Sequence, residues 1–129
     1  MRSLARYRFL RRLGAGAAGG VYLVEDRVLG GPPLALKRVE RASDPAFRDS
    51  YAREFAVLAA LSLPGVARVH DLGVAPASGE IPAGPFFTRD FVDGEPLASW
   101  AHGRSLEEVL RVFLRVLRTT AALHRSFVL

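Results

Sequence analysis

The chain has no cysteine, one tryptophan, one methionine and, among 18 basic residues, one lysine, Lys37. Without thiols it has neither a disulfide framework nor a thiolate metal site, and a reducing, cytoplasmic location is expected. No stretch approaches the ~18 uninterrupted apolar residues of a membrane span, and the basic start MRSLARYRFLRR has no apolar run behind it of the signal-peptide kind. No membrane segment is therefore expected. The net charge of +5 rests on arginines scattered in doublets at most, without interleaved aromatics. That pattern describes a solvated surface rather than a nucleic-acid patch. The histidines His70, His102 and His124 are isolated and accompany no acid cluster, so neither a metal site nor a serine-histidine-acid arrangement is expected.

What is present suits a globular domain: 129 residues, 50% hydrophobic and 24% charged, enough to bury a core. The scarcity of lysine gives Lys37 its interest. An ammonium is a compact point charge on a flexible stem and a guanidinium a wide planar fork, so a site needing the first cannot simply take the second.

Along the chain, Tyr7, Phe9 and Leu13 alternate with Arg8 and Arg12, a strand period broken at Arg11. A glycine segment, Gly14 to Gly20, leads into the β-rich Val21 to Val24 and a turn-prone Leu29 to Pro33. Leu34 to Glu40 reads as a third strand with Ala35, Lys37 and Val39 on one face. Asp44-Pro45 starts a helix expected to reach about Ser62, with Phe47, Tyr51, Leu58 and Leu61 forming an inward stripe. Glu54 sits in the gap of that stripe, where a carboxylate needs a cation. Strands are expected over Val66 to Val74 and Phe86 to Val92, separated by a Pro/Gly/Ala-rich loop, Ala75 to Pro85, with no assigned role. After a connector, Ser105 to Glu108 forms a capping box. The helix it opens, Ser105 to Leu123, carries an apolar stripe of Leu106, Val109, Leu110, Phe113, Leu117 and Ala121, with Arg111, Arg115 and Arg118 on the wet side.

Glycines at 14, 16 and 19 let a backbone approach phosphate oxygens and offer N–H donors. The same spacing marks dinucleotide-binding loops, but those open a helix, and here a β-rich segment follows. A Walker-type loop is excluded because no Gly-Lys-Ser/Thr follows. A glycine loop between antiparallel strands, a lysine on the next strand and a helix presenting a glutamate is the arrangement of a protein kinase small lobe. The stretches LGAGAAGGVYLVED, LALKR, REFAVLAALSLPGVARVHDLG and FFTRDFVDGEPL occur in the right order, and with them the chain resembles bacterial, eukaryotic-like serine/threonine protein kinases over nearly its whole length.

The resemblance implies an α+β fold: residues 1–92 as a kinase-like lobe with a five-stranded antiparallel sheet and one packed helix, and 93–129 as the hinge exit and first helices of an incomplete second lobe. It implies that Gly14, Gly16 and Gly19 cover the phosphates of ATP, that Leu13, Val21 and Ala35 pack on the adenine, and that Asp90 to Val92 hydrogen-bond its edge. Lys37 would hold the α- and β-phosphates, oriented by Glu54. Mg2+ and a protein substrate bearing serine or threonine belong to the full-length protein.

Three departures stand beside it. Arg89 falls where the family's gatekeeper is apolar or small, and Ala18 replaces an aromatic at the loop tip. The family's catalytic aspartate, its metal-binding asparagine and the later metal-binding aspartate do not occur in these 129 residues. The chain alone is therefore expected to be inert, and the stripe on the helix from Ser105 to require large-lobe helices or a partner to cover it. The alternative reading is a non-catalytic kinase-like module that binds nucleotide or protein. His124 matches a leucine-histidine pair that the family uses in packing.

Overall fold

The computed structural model describes residues 6–16, 19–39, 45–75 and 81–127. The side chains of Phe47, Tyr51 and Glu54, and the expected cap Asp44 and loop-tip Ala18, lie outside the described set. Five strands, β1 (Tyr7–Gly16), β2 (Gly19–Asp26), β3 (Leu34–Arg38), β4 (Val69–Ala75) and β5 (Gly84–Asp90), form one sheet in the order β1-β2-β3-β5-β4, each pair antiparallel. Helix α1 (Pro45–Ala60) lies between β3 and β4 in sequence and touches β4, while α2 (Leu97–Ala101) and α3 (Leu106–Phe127) follow the sheet. The expected α+β architecture, a five-stranded antiparallel sheet followed by helices, is what forms.

Alternation along the strands sorts the sheet into two faces. On one, Tyr22 and Val24 of β2 stand opposite Leu36 and Leu34 of β3, and Phe86 of β5 joins them. Tyr7 and Ile81 complete this buried cluster, with Phe9 and Leu34 packed on its margin. Tyr7 meets Phe86 edge-on at 5.7 Å, and Phe9 meets Tyr22 at 6.1 Å, the geometry that aromatic quadrupoles favour. Ile81 comes from the loop that the sequence left without a role: one β-branched residue among prolines and glycines gives no period to detect. Leu36 and Val24 are fully buried, so truncating Leu36 to alanine removes about 2–5 kcal/mol.

The break in alternation at Arg11 corresponds to a real irregularity. The β1–β2 register slips between Phe9 and Arg11 and again between Arg12 and Gly14, leaving Leu10 and Leu13 without a cross-strand partner. After the second slip Gly14 stands opposite Val21.

A polar network fastens the start of β1. Arg6 grips Asp26 with two hydrogen bonds, Nε to Oδ1 at 2.9 Å and Nη2 to Oδ2 at 2.7 Å, and also reaches Asp71 at 3.1 Å. Asp26 is buried and accepts the backbone N–H groups of Val28 and Leu29, which shapes the turn after β2. The Arg6 hydrogen bond is the main cause that holds the Asp26 carboxyl down at about 2. The Tyr7 hydroxyl donates to Asp71 at 3.0 Å, and burial together with that carboxylate pushes its phenol up to about 12. The Asp71 N–H is in turn taken by the buried Thr88 hydroxyl.

Helix α1 corrects one expectation. Leu58 is exposed, as is Val57, and it is Phe55 that packs on the sheet, 6.4 Å from Phe87. The run Phe55 to Ala60 is apolar on every side of the helix, so periodicity alone cannot choose the inner face.

The chain divides into two compact units, Met1–Leu61 with Ala67–Phe91, and Ser62–Val66 with Val92–Leu129. Ser62–Val66, expected to accompany the sheet, thus groups with the helices. Gly65 explains this: its φ is +85°, and a Cβ there would lie 2.9 Å from the Thr119 hydroxyl of α3, so only glycine permits the approach. In the second unit the expected connector contains the short helix α2. Ser105 caps α3 by accepting the Glu108 N–H at 3.2 Å. The reciprocal half of the capping box is replaced, because the Glu108 carboxylate pairs with Arg104. Along α3, Leu106, Leu110, Phe113 and Leu117 are exposed.

Candidate functional site

Cross-strand pairing assembles the second face of the sheet. Gly14 stands opposite Val21, Val21 opposite Lys37, Lys37 opposite Phe87 and Phe87 opposite Leu72, one row across all five strands. The glycine and the lysine are two strand spacings apart, about 10 Å. The next row sets Leu23 opposite Ala35 and Ala35 opposite Arg89. Leu23 and Ala35 are buried, Val21 and Lys37 half-buried, and Arg89 exposed. An exposed guanidinium keeps its hydration, so Arg89 needs no buried partner there.

The glycine segment is less of a loop than its composition suggests. β1 and β2 run into it, pairing Ala15 with Gly20 and Gly16 with Gly19, so two residues, 17 and 18, separate the strands. At Gly14 neither backbone nor packing demands glycine: its φ is not positive, and a Cβ would meet nothing within 4 Å. A side chain there would extend into open space. The donor set on this face, backbone N–H groups at a glycine hairpin and one ammonium, is chemistry that fits an oligophosphate.

Glu54 lies on α1 one residue before Phe55, whose ring packs on Phe87, the neighbour of Lys37. Its side chain is outside the described set, and no described carboxylate pairs with Lys37.

At the far end of β5, Asp90 is heavily engaged. Its N–H donates to the Arg68 carbonyl at 2.8 Å, its Oδ2 accepts the Arg68 N–H at 2.9 Å, and its Oδ1 meets His70 Nε2 at 2.6 Å. The His70 hydrogen bond is the main cause that keeps this carboxyl below its usual range. This three-point clamp ties β4 to β5 just before the chain passes to Phe91 and Val92. Val92 is exposed, and its carbonyl accepts the Gly94 N–H at 3.1 Å. His70 is isolated in the sequence; its partner Asp90 is 20 positions away, and only strand register reveals it.

Among the described residues no cluster of three His, Asp or Glu is arranged to hold a metal ion, and no helix is long and apolar enough to cross a membrane.

Comparison with known proteins bears on this geometry. Residues 10–127 match the phosphotransferase enzyme family. The DNA damage-responsive serine/threonine-protein kinase RqkA of Deinococcus radiodurans is 38% identical over 92 residues, covering 71% of this chain and 13% of the relative. Serine/threonine-protein kinase PknA of Mycobacterium tuberculosis is 36% identical over 96 residues, 73% of this chain and 22% of the relative. Serine/threonine-protein kinase A of Synechocystis sp. is 31% identical over 116 residues, 88% and 21% respectively. The chain thus spans about a fifth or less of the length of these relatives. With the family match covering almost every described element, the chain belongs to the phosphotransferase enzyme family and corresponds to a serine/threonine-kinase N-terminal region.

Proposed function

We propose that the face carrying Gly14, Val21, Ala35 and Lys37 binds ATP, and that the full-length protein is a cytoplasmic serine/threonine protein kinase. The observation that carries this reading is the cross-strand row in which Gly14 of β1, Val21 of β2 and the chain's one lysine on β3 lie in register, two strand spacings from end to end. Bound Mg-ATP supplies the phosphoryl group that such an enzyme transfers to a protein hydroxyl. The chain's own residues bind and orient. Backbone N–H groups around Gly14, Gly16 and Gly19 donate to phosphate oxygens, and the Lys37 ammonium offsets their charge. Glu54 holds Lys37 in place. Leu13, Val21 and Ala35 cover the base, and backbone groups from Asp90 to Val92 meet its edge. Since the Asp90 N–H is taken by Arg68, the Asp90 carbonyl and the Val92 N–H are the groups assigned to that edge.

Positioning and charge neutralisation do not by themselves deprotonate a hydroxyl, so these 129 residues bind nucleotide without transferring phosphate. Calorimetric titration with Mg-ATP tests the reading. Saturable binding is expected, weakened at least ~10-fold, about 1.4 kcal/mol, in Lys37→Met with the melting temperature unchanged. No saturation, or affinity indifferent to that substitution, removes the assignment; Lys37-dependent transfer from labelled ATP by this chain removes the claim that it is inert.

A further inference from the structure

The second unit has a concave surface of about 450 Å³ between α2 and α3. Trp100 of α2 forms one wall, and Val112 and Leu114 of α3 give it an apolar floor. Arg111, Arg115 and Arg118 line it as well, against a single carboxylate, Glu108. Their spacing of four and three puts them on one side of the helix. The wall is held in place by Arg104, which donates from Nε to the Trp100 carbonyl at 2.9 Å and stacks 4.4 Å from the indole centroid. Arg104 also pairs with Glu108 at 3.3 Å, so the one lining acid is already engaged. Arg111 pairs with Glu107 at 2.7 Å, whereas no described carboxylate pairs with Arg115 or Arg118.

We propose that this concavity is a docking site for an acidic peptide segment of a partner protein, one apolar side chain entering beside Trp100 and carboxylates on either side pairing with Arg115 and Arg118. Charge complementarity selects the sign of the partner: the lining has three guanidiniums and one occupied acid. The apolar floor selects a peptide over a nucleic acid. A duplex presents a charge about every 1.7 Å along its axis and would bring phosphates against Glu107 and Glu108, whereas a peptide sets separate acids around an apolar residue. Arg111 to Arg118 covers about 10 Å of helix, the length of roughly three residues of extended peptide.

Trp100 is the chain's sole tryptophan, so its fluorescence reports on this wall alone. The full chain is titrated with a short synthetic peptide in which one leucine is flanked by aspartates and glutamates, and separately with its lysine-substituted counterpart, a single-stranded oligonucleotide and inorganic phosphate. The acidic peptide is expected to change the emission saturably and to bind at least ~10-fold more weakly at high salt or in Arg115→Glu/Arg118→Glu. Arg125→Glu, further along α3, changes affinity by less than ~2-fold. Circular dichroism confirms that helix content survives, and if the double variant does not fold, Arg118→Gln alone carries the test with an expected ~3-fold loss. The proposal is overturned if the acidic peptide fails to saturate in the millimolar range, if the arginine variants bind it equally well, or if the basic peptide, the oligonucleotide or phosphate alone binds as tightly.

Discussion

The two units of this chain meet the same physical demand in opposite ways. The sheet unit covers its own apolar residues: Tyr7, Tyr22, Val24, Leu36, Ile81 and Phe86 are buried within it. The long helix α3 has a comparable supply of large apolar residues, yet Leu106 is 74% exposed and Leu110, Phe113, Leu114 and Leu117 about half exposed. A strand buries side chains against its cross-strand neighbours and a covering loop, whereas a helix stripe is buried only by another element laid along it. Apolar content thus predicts burial where topology supplies partners from within, as β1 to β5 do, and fails where, as on α3, large apolar residues stay exposed.

The sharpest way to break this contrast is to make the same truncation in both units. Leu36→Ala is expected to cost about 4 kcal/mol in urea unfolding, or to prevent folding, while Leu110→Ala changes stability by less than ~0.5 kcal/mol. Comparable losses at the two sites would dissolve the distinction.

Next in size is the network that fastens β1. Asp26→Asn leaves the Arg6 guanidinium without its main partner and is expected to cost about 3 kcal/mol. Its pH signature follows from the depressed carboxyl. Because the folded value is about 2 and the ordinary value 3.8, the contribution is complete above about pH 4 and disappears as pH falls towards 2. The wild-type chain should therefore lose stability through that window more steeply than the Asn variant, in parallel acid titrations followed by circular dichroism. Tyr7 acts at the other extreme: its phenol, raised to about 12, contributes below about pH 10, and that contribution is lost as pH rises through 12.

On the helical side, the exposed stripe is expected to make the chain adhesive. Leu110→Glu with Leu117→Glu should lower hydrophobic-dye fluorescence and self-association in sedimentation several-fold, about 1 kcal/mol, without moving the unfolding midpoint of the sheet. A monodisperse wild-type chain that binds no dye would contradict this.

The smallest effect is expected on the outer surface of the sheet. Arg8 pairs with Glu25 at 2.7 Å, but about half of each side chain is in water, so Arg8→Ala should cost no more than about 0.5 kcal/mol and less in high salt. A larger loss would mean that exposed pairs contribute to the sheet as buried ones do.

Much of the fold and part of the candidate site were legible in the residues. Alternation exposed the strands, and the interruption at Arg11 marked an actual register slip. Ala35 and Lys37 fell on one face because the strand period allows nothing else, whereas β3 ends at Arg38, before Val39. Less legible was whatever depended on a second segment. Ser62–Val66 joined the helices through Gly65 and Thr119, 54 positions apart. Glu108 appeared to complete a capping box but pairs with Arg104 instead. Arg111, Arg115 and Arg118 read as a wet helix face, and only α2, by setting Trp100 beside them, turned that face into a concavity.

By itself the sequence determined the strand faces, the amphipathic helix and the order of a glycine segment, a strand lysine and a helix, since each follows from spacing along one element or its immediate neighbour. Tertiary structure alone decided which apolar residues find cover, how Asp90 is clamped by Arg68 and His70, and where arginine meets tryptophan. Those depend on register and on contacts between segments distant in the chain, and residue spacing carries no information about either.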